Sequence, residues 1–236
     1  MKNIFTYLYL FMFVSQLSIF GQNKNKNEDW PNLKKYTKAN EELGFPSADE
    51  KRAVFMGNSI TESWGKIDSS FFIDNDYIDR GISGQTSSQM LLRFRQDVIN
   101  LKPAVVVILA GTNDIAENTG PISIKDILGN IISMTQLAEA NNIKVILCSV
   151  LPAYDFPWHH GLKPAEKIIK LNSMIKSYCD ENNIPYVDYY SKMADEEKGL
   201  DKKYTKDGVH PTLAGYKIMD TLIEKEIKSI LNLSPR

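Results

Sequence analysis

Apolar residues along this chain fall into short, dense runs separated by longer stretches in which they recur every three or four positions. The dense runs lie at Ala53–Met56, Tyr77–Asp79, 104–111 ("AVVVILAG"), 144–150 ("KVILCSV") and 185–190 ("PYVDYY"). Helical spacing covers 87–99, 122–141, 165–182 and 212–232, and Trp30–Leu43 reads as an amphipathic lead-in helix. Strands that alternate with helices predict a parallel sheet covered on both faces. The unbroken Val/Ile/Leu run at 105–109 suits a strand buried on both sides. The predicted fold class is therefore α/β, a three-layer α/β/α sandwich around a mainly parallel five-stranded sheet.

The start of the chain has a different pattern. Lys2 precedes "IFTYLYLFMFVSQLSIF", an uncharged and mostly apolar run, followed by Gly21-Gln22 and the polar "NKNKNED". A positive start, an apolar middle and a small residue at its end describe a secretory signal peptide. An uncut membrane anchor is the alternative, but the run sits at the short end for a spanning helix. No cysteine follows it, which argues against a lipid anchor. The expected organisation is a signal peptide at 1–21, a linker and lead-in helix at 22–50, and the main domain at 51–236. Export to the periplasm or the medium follows, with no stable membrane insertion after cleavage.

Composition narrows the function. At 236 residues, with 43% apolar and 24% charged residues, the chain is long enough for one soluble domain with a substantial core. A net charge of -1 gives no general grip on phosphate backbones, so nucleic acid is not an expected partner. Cys148 lies inside an apolar run and reads as a small core residue, so no disulfide with Cys179 is expected. There is no CxxC and no HExxH, and hence no support for a metal site.

The strand ends carry the chemistry. In an open parallel sheet, ligands bind outside the carboxyl ends of the strands. Ser59 in "GNSIT" follows the first strand, Gly84 in "RGISGQT" the second, and Asn113 in "GTND" the third. Each residue type is also common in ordinary turns; their repetition at one rim is the signal. A serine nucleophile needs a base. His210 in "DGVHP" lies three residues after Asp207, so one loop presents an imidazole and a carboxylate that can hold its tautomer. Pro211 would then open the last helix. The same stretch also reads as a turn followed by an incidental histidine. A G-x-S-x-G elbow is excluded, because Thr61 stands where its second glycine belongs.

These four segments, in this order, resemble the conserved blocks of the SGNH hydrolases, the GDSL-like lipase/acylhydrolase family, from about Lys51 to the C-terminus. One departure is visible: Asn58 stands where the name-giving motif has an aspartate. The resemblance implies a flavodoxin-like sheet and a serine esterase that needs no cofactor. It implies Ser59 as nucleophile, His210 as base and then acid, and Asp207 as its orienting carboxylate. The amides of Ser59 and Gly84 and the Asn113 side chain would form the oxyanion hole. The expected partner is a small ester or an acetylated glycan, with short-chain, acetyl esters on carbohydrates preferred. A lysophospholipase- or thioesterase-type acylhydrolase, or a glycan-binding module without chemistry, stays open.

Substrate contacts are sought among aromatics. Trp64 follows the serine, and Tyr154, Phe156 and Trp158 lie in "LPAYDFPWHHG" after the fourth strand. They offer flat faces to a sugar ring, although the same residues also read as packing residues. His159 and His160 read as loop-surface residues.

Overall fold

Strict alternation within the short apolar runs lets one sheet serve two cores. The computed structural model describes residues 29–47 and 49–232. Its strands are β1 (Ala53–Gly57), β2 (Tyr77–Gly81), β3 (Val105–Ile108), β4 (Lys144–Cys148) and β5 (Tyr186–Val187). They form one sheet in the order β2-β1-β3-β4-β5, parallel at every pairing. This is the expected α/β architecture, in the flavodoxin-like order. The expected signal peptide and residues 22–28 of the expected linker lie outside the described residues.

The helices are α1 (Thr37–Leu43), α2 (Ser59–Ile67), α3 (Ser69–Ile73), α4 (Ser87–Asp97), α5 (Thr112–Ile115), α6 (Ile124–Glu139), α7 (Ala165–Asn182), α8 (Tyr190–Met193) and α9 (Leu213–Leu231). Val54, Met56, Val106 and Ile108 point to one face, where Phe94 of α4, Ile131 of α6 and Leu171 of α7 cover them. Ala53, Phe55, Val105 and Val107 point to the other, covered by Trp64 of α2, Phe71 of α3 and Ile223 of α9. A period of two in the strands meets a period of 3.6 in the helices, as two-faced burial requires. Cys148 and Cys179 are buried and unpaired with one another, as thiols of a packed core.

The lead-in region departs from expectation. Only Thr37–Leu43 is helical, whereas residues 30–36 run as turns. Pro31 lacks a donor and Asn32 takes a left-handed φ of 54°, which together interrupt a helix. The described residues from Pro31 onward nonetheless form one compact unit, so residues 31–43 pack with the domain.

Candidate active site

The chain leaves β1 into α2 on one face and leaves β3 toward α6 on the other. Because the connections part at neighbouring strands, a crevice opens at their carboxyl ends, the switch point of this topology. Ser59 and Asn113 flank that crevice as the first residue of α2 and the second of α5. Asn58 caps α2: its Oδ1 accepts from Ile60 N–H at 2.9 Å. Ser59 thereby occupies the first helical position, where the backbone N–H has no intrahelical acceptor. A Cβ on Gly81 would sit 2.2 Å from Glu62 N, so only glycine lets β2 end this close to α2.

Ser59 Oγ lies 2.9 Å from His210 Nε2, and His210 Nδ1 lies 2.7 Å from Asp207 Oδ2. The other carboxylate oxygen, Oδ1, accepts from Val209 N–H at 2.9 Å and His210 N–H at 2.8 Å. Burial alone would raise the Asp207 pKa, but the His210 and Val209 donors hold it at about 2. A carboxylate fixed in this way keeps the imidazole proton on Nδ1 and turns the Nε2 lone pair to the serine. Pro211 does not open the last helix. It bridges to Thr205, and Thr212 N–H donates to Tyr204 O at 2.7 Å. These bonds pull residues 205–211 into a closed loop, and α9 starts only at Leu213.

Asn113 is buried, and its Nδ2 donates one N–H to Gln85 O at 3.0 Å. A carboxamide nitrogen carries two donors, so one remains. Gly84 takes a φ of 78°, the left-handed region that favours glycine. Its carbonyl accepts from Asn118 Nδ2 at 3.1 Å. Asp114, next to Asn113, binds the start of α4 through Ser87 N–H and Oγ. The structure thus links Ser59, His210 and Asp207 in one hydrogen-bonded set, and Gly84 and Asn113 in a second through Gln85 and Asn118.

The aromatics divide. Trp64 is not at the rim. It is 1% exposed, stacks between Phe71 and Tyr216, and donates its indole N–H to Asp220 at 2.8 Å. At its place on α2 it faces the sheet, so it packs the core and does not meet substrate. Phe156 is likewise fully buried. Tyr154 is exposed and lies beside Gly199. Trp158 is 43% exposed, stacks on Phe156 at 5.2 Å, and stands 6.0 Å from the His210 ring. Its indole N–H donates to Asn118 Oδ1 at 2.9 Å. His159 pairs with Ala116 O and His160 with Asp155, whereas the histidine bonded to Ser59 is His210. Sequence reasoning missed Asn118 and Gln85, polar loop residues that carry no spacing signal.

Comparison with known proteins bears on the fold and the family. A GDSL-like lipase from Bacteroides thetaiotaomicron is 56% identical, with a TM-score of 0.84, over 85% of this chain and 99% of its own. Esterase TesA of Pseudomonas aeruginosa is 25% identical over 67% of this chain and 75% of its own. The uncharacterized lipoprotein YqeF of Bacillus subtilis is 32% identical over 90 residues, and the match spans 37% of each chain. The profile of the GDSL-like Lipase/Acylhydrolase family matches residues 55–218, from β1 into α9. The chain belongs to the GDSL-like lipase/acylhydrolase family.

Proposed function

We propose that this acylhydrolase is an exported serine esterase that removes short acyl groups, acetyl foremost, from carbohydrates. The observation that carries the catalytic part is the continuous relay from Ser59 through His210 to Asp207, at 2.9 and 2.7 Å. Ser59 Oγ attacks the ester carbonyl carbon as its proton passes to His210 Nε2. The oxyanion is held by the Ser59 and Gly84 amides and the free Asn113 N–H. The intermediate collapses, the alcohol leaves with the proton from His210, and the acyl group stays on Ser59. Water, deprotonated by His210, then releases the acid and restores the serine. No step needs a metal or a cofactor.

The exposed Trp158 ring beside His210 supports a carbohydrate leaving group, because a flat apolar face suits the C–H face of a sugar. The small and polar residues that follow the neighbouring strands, Gly84 and Asn113, with Asn118 bonded to both, favour a short acyl chain. The Lys2-led apolar run supports export; among the described residues no helix is long and apolar enough to cross a membrane.

The test is a panel of p-nitrophenyl esters of rising chain length beside acetylated oligosaccharides, with EDTA present and absent. Rates should be highest on acetyl esters, be indifferent to EDTA, and vanish in a folded Ser59→Ala variant. Trp158→Ala should raise KM for the oligosaccharide more than for p-nitrophenyl acetate. A preference for long-chain esters would replace this reading with a lysophospholipase-type one.

A further inference from the structure

The loop that carries Gly84 is held peptide by peptide. Gly81 O accepts from the Tyr36 hydroxyl, and Ile82 N–H donates to Gly57 O at 3.1 Å. Ile82 O accepts from Gln85 N–H at 3.3 Å, and Ser83 N–H donates to Glu62 Oε2 at 2.7 Å. Gly84 O is held by Asn118 and Gln85 O by Asn113, while Thr86 N–H donates to Gln89 Oε1 at 3.1 Å. The Ser83–Gly84 peptide is the exception. Among the described residues neither Ser83 O nor Gly84 N–H has a hydrogen-bond partner. Peptides are planar, so a free one between pinned neighbours takes its direction from them. Its unpaired N–H is the donor the proposed reaction uses.

Three restraints on this loop come from one segment, which lies ahead of the residues 55–218 matched by the family profile. Tyr36 holds Gly81 O. Pro31 O accepts from Gln85 Nε2 at 2.7 Å. Lys35 Nζ reaches Glu62 Oε1 at 2.6 Å, and Glu62 passes the restraint to Ser83. The segment is itself moored: Asn40 donates to Asp97 at 2.8 Å and accepts from Arg80 at 2.8 Å. The Arg80 guanidinium lies 4.7 Å from the Tyr36 ring centre.

We propose that residues 31–40 form a strap that aims the Gly84 amide into the active site, with Lys35 acting through the positioning residue Glu62 and Tyr36 acting on Gly81. The inference rests on the reading of Gly84 as an oxyanion donor. Burial opposes charge on Glu62, yet hydrogen bonds from Lys35, Lys66 and Ser83 hold its pKa at about 2. It is therefore an ionised acceptor throughout the range in which an esterase is assayed.

The experiment measures kcat, KM and Tm on p-nitrophenyl acetate for Lys35→Met, Lys35→Arg, Tyr36→Phe and Glu62→Gln in the full chain. Lys38→Met serves as control, since Lys38 is exposed and, among the described residues, pairs only with Glu42. Lys66 still pairs with Glu62 when Lys35 is removed, which spares the fold. A misaimed donor should lower kcat by roughly 10-fold to 10²-fold, short of the ~10²–10³-fold of outright donor loss, with KM within about 2-fold. Lys35→Arg should recover most of the rate, and Lys38→Met should behave as wild type. A kcat within about 2-fold of wild type in Lys35→Met and Tyr36→Phe overturns the strap, as does a rate loss that disappears when assays are run well below a lowered Tm. Ser59→Ala separates the two levels: if it stays active, the serine mechanism that gives the oxyanion donor its task fails, and if it is dead while the strap variants are normal, that mechanism stands and the strap fails.

Discussion

Asn113 carries two N–H donors on one carboxamide, and their roles are separable. One closes the loop on Gln85 O, and the proposed reaction assigns the other to the oxyanion. Asn113→Ala should therefore lower kcat by about 10²–10³-fold, or roughly 3–4 kcal/mol of barrier, while KM moves little. It should also lower Tm, because Gln85 O loses its partner and an unsatisfied buried acceptor costs about 1–3 kcal/mol. Steady-state kinetics and a melting curve on one purified variant check both. A near-normal kcat with a lowered Tm would leave Asn113 a loop-closing residue only. Asn58 shows the same economy: its Oδ1 caps α2, a task that an aspartate or an asparagine performs equally, so the departure from the name-giving motif leaves the Ser59 backbone in place.

Among the elements, β2 carries an ionisable group with an unusual setting. Burial, the largest influence, raises the Asp79 pKa to about 7, against the opposing pull of Gly81 N–H and Arg80. A carboxyl raised in the folded state contributes stability that is fully present below its usual value of 3.8 and is lost as pH climbs through about 7. Asp79→Asn keeps the oxygen that accepts from Gly81 N–H and removes the charge. It should melt above wild type at pH 8, with the gap closing toward pH 4; thermal scans across pH test this, and a variant less stable than wild type at pH 8 would contradict it. The longer elements were legible in the sequence because their periodicity is strong: α7 spans the predicted 165–182, and α6 and α9 fall within two residues of expectation. The short helices α2, α3, α5 and α8 were not, since a turn or two of helix holds too few apolar positions to show a period. Three of the site blocks were visible because each follows a strand, and the fourth because Asp207 and His210 lie three residues apart. Trp64 was misassigned because its place in the chain, near Ser59, says nothing of which face of α2 it occupies.

At the scale of the whole molecule, the order β2-β1-β3-β4-β5 explains why residues far apart in sequence meet. The connections after β1 and β3 part to opposite faces, and the loop before α9 returns to the crevice with Asp207 and His210. The proposed strap bears on the Gly84 loop from ahead of the family-matched region. The central claim is that this assembly works through an acyl group carried on Ser59. Acid-quenching the enzyme during turnover of p-nitrophenyl acetate, then weighing the intact protein and its peptides by mass spectrometry, tests it directly. An acetyl-sized increment on the peptide containing Ser59, formed within the burst and absent from Ser59→Ala, is the predicted result; turnover with no adduct, or with the adduct on another residue, would contradict it.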